Sequence, residues 1–193
     1  MVGGMGARAT KDGLNTTGFP SGVAGVPAEV IETLSPLIQL RRQLRTDSGG
    51  AGKFRGGLGQ STEIACRGGG QFSLSAMIDR TRFAAQGLAG GAPGAIAEYK
   101  TSDGKPLQPK TVLYFTPDMK IHLNPAGGGG YGDPCERDVE KVLSDVINGY
   151  VSIEQAEKQY GVTIRYIGNE NQLVRLPHDY KIVSRQSLSG NTE

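Results

Sequence analysis

Short alternations of apolar and polar residues dominate the first two thirds of the chain. Phe72, Leu74, Ala76 and Ile78 alternate with Ser73, Ser75 and Met77, the period-two pattern of a half-buried strand over residues 72–78. Residues 37–44 (LIQLRRQL) are too few for a stable helix and read as another strand, as do 62–67, 95–100, 112–116 and 120–123. Ser102-Asp103-Gly104-Lys105 is the clearest hairpin turn, because Asp-Gly takes positive φ cheaply, and Thr116-Pro117-Asp118 joins the next two strands. Residues 29–33 fit a short strand or one helical turn before Ser35-Pro36. Residues 1–26 read as loop, with Phe19-Pro20 an extended or turn dipeptide.

The period changes after Pro134. Val139, Val142, Leu143, Val146 and Ile147 fall at i, i+3, i+4, i+7 and i+8, one stripe of an amphipathic helix, with Asp138 as N-cap and Gly149 just past its end. A second helix opens at Ser152 with Gln155 three residues on and closes near Gly161. Residues 162–167 and 172–176 are expected to pair across Gly168-Asn169-Glu170-Asn171, and the polar tail from Ser184 is expected to fray. The pattern predicts an α+β protein: a β-dominated, glycine-loop domain with an antiparallel or mixed sheet over 1–134, then a two-helix appendage with a short hairpin and tail over 135–193.

Composition sharpens the first part of this picture. Glycine supplies 30 of 193 residues, about twice the usual share, and it clusters instead of recurring every third residue as in collagen. The densest clusters are residues 46–60 (TDSGGAGKFRGGLGQ) and 125–134 (PAGGGGYGDP). Phe54, Lys53 and Arg55 embedded among the glycines argue against a flexible linker. Glycine at this density is wanted where backbone takes φ > 0 or approaches other backbone, so 46–60 reads as a shaped loop joining two strands.

Charge changes little. A formal net charge of +2 gives no bulk attraction to nucleic acid or anionic membrane. No run approaches 18 apolar residues and the N-terminus has no apolar h-region, which points to a cytoplasmic protein. Cys66 and Cys135 suggest neither a disulfide framework nor a metal spacing.

Most familiar chemistry is excluded by spacing. Gly52-Lys53 fails as a phosphate loop, since the first glycine position holds Asp47 and Phe54 replaces the hydroxyl residue. Residues 127–132 satisfy G-x-G-x-x-G, but Asp133-Pro134 stands where a helix should open, and no parallel strand ending in an acidic residue follows. His122 and His178 have no second ligand at a metal spacing, and Cys66 and Cys135 have no evident base. Phe54-Arg55-Gly56-Gly57 is a single RGG-like copy inside a folded pattern, which argues against an RNA element. What remains is a set of glycine-shaped loops carrying charges: Arg8, Lys11 and Asp12; Asp47, Lys53 and Arg55; Asp79, Arg80 and Arg82; Tyr131 and Asp133. These either satisfy loop backbone and one another, or line a substrate cleft or subunit interface.

At these loops the chain resembles a known family. Gly3-Gly4-Met5-Gly6-Ala7-Arg8, Lys11-Asp12-Gly13, Leu44-Arg45 with residues 47–57, Asp79-Arg80-Thr81-Arg82-Phe83 with residues 87–91, and residues 125–134 are similar to the C-terminal region of B-type subunits of the hydantoinase/5-oxoprolinase family. Arg137-Asp138, Val142-Leu143, Asp145-Val146, residues 149–152 and Tyr160-Gly161-Val162 continue the likeness, which runs from about residue 3 to about 165. The resemblance implies part of an ATP-dependent enzyme that opens cyclic amides. An A-type subunit phosphorylates the amide oxygen and the B-type part completes hydrolysis. Ketone carboxylases for acetone or acetophenone are related, so carboxylation is the alternative, with a non-catalytic assembly module as a third reading. B-type subunits are much longer, and the stretches they use for metal precede Gly3. The resemblance therefore implies that this chain binds no cofactor, that ATP with Mg and another divalent metal belong to partner chains, and that these partners are an A-type subunit and the N-terminal part of a B-type subunit. Arg8, Lys11, Asp12, Asp47, Lys53, Arg55, Arg80, Arg82 and Tyr131 are the expected substrate or interface residues.

Overall fold

A computed structural model describes residues 1–185 apart from 19–20, 23–24, 69, 170 and 172–173. The expected Phe19-Pro20 turn, parts of 168–176 and most of the tail lie outside the described residues. Helix α1 (Ala28–Leu34) precedes strands β1 (Leu37–Leu44), β2 (Gln60–Cys66), β3 (Phe72–Ala76), β4 (Glu98–Thr101), β5 (Thr111–Phe115) and β6 (Ile121–Asn124). Helices α2 (Val139–Ile147) and α3 (Ile153–Tyr160) follow, then β7 (Val162–Tyr166) and β8 (Tyr180–Arg185). All strand pairs are antiparallel: one sheet in the order β1-β2-β6-β4, and the ribbons β3-β5 and β7-β8.

The alternation in 72–78 is realised, with Phe72, Leu74 and Ala76 inward and Ser73 and Ser75 outward. The strand stops at Ala76, earlier than the pattern suggests, because Met77 N–H turns back to the Ser75 carbonyl. In β1 a bulge between Gln39 and Arg41 throws Leu40 outward, where it is 47% exposed. Residues 29–33 settle within the two-turn helix α1. The Asp-Gly turn forms, with Gly104 at φ 84 and its N–H on the Thr101 carbonyl, but the returning chain makes a single bridge, Lys100 to Pro106. β4 pairs with β6 instead. Strands β5 and β6, adjacent in sequence, enter different sheets. Between the sheet and the β3-β5 ribbon lies one core, built on Leu107, Phe115, Ile121 and Leu123, with Phe72 stacked on Phe115 at 5.1 Å.

Both later helices start and stop as their caps dictate. Asp138 accepts from Glu140 N–H, Ser152 accepts from Gln155 N–H, and Gly149 and Gly161 take φ 70 and 66 beyond the ends. Their stripe packs with β7 and β8 around Val142, Val146, Ala156, Tyr160 and Val162. The expected partner of β7 is corrected. Of the stretch expected to pair, 172–173 lie outside the described residues and 174–176 form no strand; β8 pairs with β7 instead, after a 3-10 turn at Pro177–Asp179. Tyr180 is buried and meets Tyr166 edge-on at 5.2 Å, an aromatic anchor that 174–176 lack.

The glycine clusters meet at the centre. Five extended segments, residues 3–7, 13–17, 48–58, 85–95 and 125–132, bond to one another without forming a sheet. The last is the axis. Gly127 and Gly130 donate to Ala95 and Ala92; Gly128 and Tyr131 donate to Gly57 and Phe54; Ala126 and Gly129 accept from Gly4 and Ala7. Partners recur every third residue, in three directions around the segment. A side chain has no room there, since a Cβ at Gly127 would overlap the Ser48 carbonyl and one at Gly128 the Met5 carbonyl.

Candidate functional site

The charged loop residues separate into three places. The first is inside. Arg137 is 1% exposed and its guanidinium holds both oxygens of Asp12 at 2.8 Å, Asp145 Oδ2 at 2.8 Å and the Lys53 carbonyl at 3.1 Å. Arg55, 4% exposed, donates from Nη1 to the Gly56 carbonyl and lies over the Tyr150 ring at 5.1 Å. Its Nε is 3.3 Å from Asp145 Oδ2, an ion-pair distance without hydrogen-bond geometry. Asp12 also accepts from Arg55 N–H at 2.8 Å. One network thus ties the first glycine segment, the 46–60 loop and α2 together. Burial would raise the Asp12 pKa, but Arg137 more than offsets it and holds the carboxyl below its ordinary range. Burial also pushes the neighbouring Tyr160 phenol up, opposed by Arg137. Arg137 and Asp145 are the members that loop reading passes over. Their signal was available: Asp145 is an acid on the border of α2's apolar stripe.

Asp47 is structural as well. At φ 59 its carboxylate accepts from Ser152 N–H at 2.8 Å, which fixes the start of α3.

The second place is one end of the glycine bundle. Ala9 and Thr10 of the turn that Arg8 and Lys11 close, Lys53-Phe54, Ala89, Tyr131 and Asp133 surround an open cleft of about 620 Å³, and Arg8 and Lys11 themselves do not line it. Lys53 Nζ meets Glu136 at 2.8 Å, with both side chains about half exposed, and Lys141 lies over the Phe54 ring at 6.0 Å. Tyr131 bridges Phe54 and Leu88 through its backbone. Exposed pairs contribute little to stability. Lys53→Ala is therefore expected to leave the urea midpoint unchanged, whereas Arg55→Ala, which removes a buried side chain packed on Tyr150 and leaves Asp145 with Arg137 as its one cation, lowers it clearly.

The third place is the Asp79–Phe83 corner, where Arg80 and Arg82 stand apart from both other groups. Among the described residues no group of three or more His, Cys, Asp or Glu side chains is arranged to hold a metal ion. No helix there is long and apolar enough to cross a membrane.

An α+β fold of antiparallel sheets with three α-helices is shared with two solved enzymes. An ATP-dependent caprolactamase from Pseudomonas jessenii superposes with a TM-score of 0.71 at 33% identity, over 88% of this chain and 31% of that one. Nucleotide-free acetone carboxylase superposes with a TM-score of 0.70 at 24% identity, over 94% and 28%, a likeness of fold. Residues 1–134 match the model of the Hydantoinase B/oxoprolinase family, and the chain belongs to that family. The B-type subunit of a putative D-/L-hydantoinase from a Pseudomonas species is 34% identical over 171 residues, 85% of this chain and 28% of its own length. The beta subunit of the Pseudomonas jessenii caprolactamase is 36% identical over 180 residues, 85% and 30%. The alpha subunit of the acetone carboxylase of Xanthobacter autotrophicus is 30% identical over 202 residues, 84% and 26%. The chain spans between a quarter and a third of the length of these relatives.

Proposed function

We propose that this chain is one part of a multi-subunit, ATP-dependent enzyme that opens cyclic amides, and that it supplies scaffold and site-completing loops instead of acting alone. The observation that carries this reading is its identity to the B-type hydantoinase and beta-type caprolactamase chains, higher than to the acetone carboxylase chain and extending over most of its length. The geometry supports the scaffold role. Asp12 and Arg55 are consumed by internal pairing and Asp47 by capping, which leaves Arg8, Lys11, Tyr131, Arg80 and Arg82 for a substrate or a partner surface. The donor set of the described residues does not fit a metal centre, so no step is assigned to a metal on this chain. ATP and Mg belong in this reading to an A-type subunit, and the metal-binding stretches to the N-terminal part of a B-type subunit. Residues 1–134 act as the B-type core and 135–193 as the appendage that Arg137 and Asp145 fasten to it.

Reconstitution tests the reading. The chain mixed with A-type and N-terminal B-type partners is expected to give ATP hydrolysis dependent on a hydantoin, 5-oxoproline or caprolactam. Activity of the isolated chain on such a substrate would overturn the incomplete-subunit reading. A second reading, part of a ketone carboxylase, is supported by the 30% identity to the acetone carboxylase alpha subunit over 84% of this chain. Fixation of labelled bicarbonate onto acetone, with lactams untouched, would establish it.

A further inference from the structure

Two non-glycine residues at the third place adopt left-handed backbone: Arg80 at φ 59 and Lys110 at φ 60. That region carries a steric cost for any residue with a β-carbon, and glycine would occupy it freely. Both positions are pinned, Arg80 by its carbonyl accepting from Ala97 N–H at 2.9 Å and Lys110 by its N–H on the Ala76 carbonyl at 2.7 Å. The two corners touch through Lys110 Nζ and Asp79 Oδ1 at 2.7 Å. Strain held in place in this way is concentrated at functional sites, and an arginine kept where glycine fits better points to its side chain.

Two clefts meet here. One, of about 420 Å³, is floored by Leu74, Ala76, Leu123 and Pro125, with Tyr99 in its wall. The other, about 550 Å³, is edged by Arg80, Arg82, Phe83 and Lys110. Asp79 and Arg80 border both. Asp79 neutralises Lys110, but among the described residues Arg80 and Arg82 have no carboxylate at ion-pair distance. Arg80 spends one nitrogen on the Ala84 carbonyl at 3.3 Å. The Tyr99 hydroxyl also has no hydrogen-bond partner among the described residues, and Phe83 is 79% exposed.

We propose that this corner binds a small organic anion, its compact apolar body in the cleft over Leu74 and Leu123 and its phosphate or carboxylate head at Arg80 and Arg82. The cleft has the size of a small-molecule site and a mixed lining, with Leu74, Leu123 and Pro125 set beside Ser75, Asp79, Arg80 and Tyr99. Guanidinium forks match both head groups. A polyanion is a poorer fit, since the net charge of +2 offers no extended basic track beyond the corner. The inference concerns recognition by this chain and stands whichever reaction its complex performs.

The test titrates the full chain with phenyl phosphate, benzoate, inorganic phosphate and neutral caprolactam, read by calorimetry. Phenyl phosphate or benzoate is expected to bind at least roughly tenfold more tightly than inorganic phosphate, and the tighter of the two identifies the head group. Arg80→Gly, which relieves the backbone while removing the charge, and Arg82→Ala should each weaken binding about tenfold. Arg41→Ala, on the exposed part of β1, should not. The proposal is overturned by no anion binding at millimolar concentration, by inorganic phosphate or caprolactam binding as well as phenyl phosphate, or by Arg41→Ala weakening binding as much as Arg80→Gly.

Discussion

Replacing Asp145 by alanine is expected to cost about 3–5 kcal/mol of stability, the range for breaking a buried ion pair by removing one partner. The reason lies in what remains. Arg137 is almost completely enclosed and keeps one of its two carboxylates, Asp12, and the buried Arg55 guanidinium loses the carboxylate at ion-pair distance. Chemical denaturation of Asp145→Ala beside the parent checks the magnitude. The same network predicts an acid limb in stability. The folded pKa of Asp12 lies below the unfolded one, so its contribution is complete at neutral pH and disappears as pH falls through the folded value. Asp12→Asn should remove that limb, and a pH series of unfolding midpoints that kept it would contradict the assignment.

Gly128→Ala is expected to be comparably severe, roughly 3 kcal/mol or more, as a methyl group forced against backbone that cannot yield like a side chain. The new Cβ would meet the carbonyl of Met5 and the nitrogen of Gly6, both held in hydrogen-bonded segments. Gly70→Ala provides the contrast, because nothing lies within 4 Å of its Cβ position and its backbone is not left-handed. Its midpoint should shift by no more than about 0.5 kcal/mol. Equal losses in the two variants would mean that glycine acts here through unfolded-chain entropy and not through close approach.

Elements governed by local chemistry were legible in the sequence. The caps of α2 and α3, the alternation through Phe72–Ala76 and the Asp-Gly turn are set by residues a few positions apart. Pairing was less so. That β4 joins β6, that β5 leaves for β3 and that β7 takes β8 as its partner depend on which apolar faces meet in space, which periodicity does not encode. The loop charges show the same limit. Arg80 and Arg82 share a corner because they are neighbours in sequence, whereas Asp12, Arg55, Arg137 and Asp145 converge from distant parts of the chain. Glycine clustering announced close backbone contact, but the three-direction pattern around Gly127–Gly130 is set by segments far apart in the chain.

The glycine axis also constrains how the chain can come together during synthesis. Its central segment, 125–132, is the last of the five to leave the ribosome, yet it is bonded to each of the segments at 3–7, 48–58 and 85–95. Until it arrives these earlier stretches can pair only with one another, as Gly57 N–H does with the Met5 carbonyl and Ala92 N–H with the Ala51 carbonyl. The glycine bundle is therefore completed only once residues 125–132 are present, through contacts of long sequence separation that fold slowly. A nascent chain halted before Pro125 holds exposed strands and unpaired backbone, the form most in need of a chaperone.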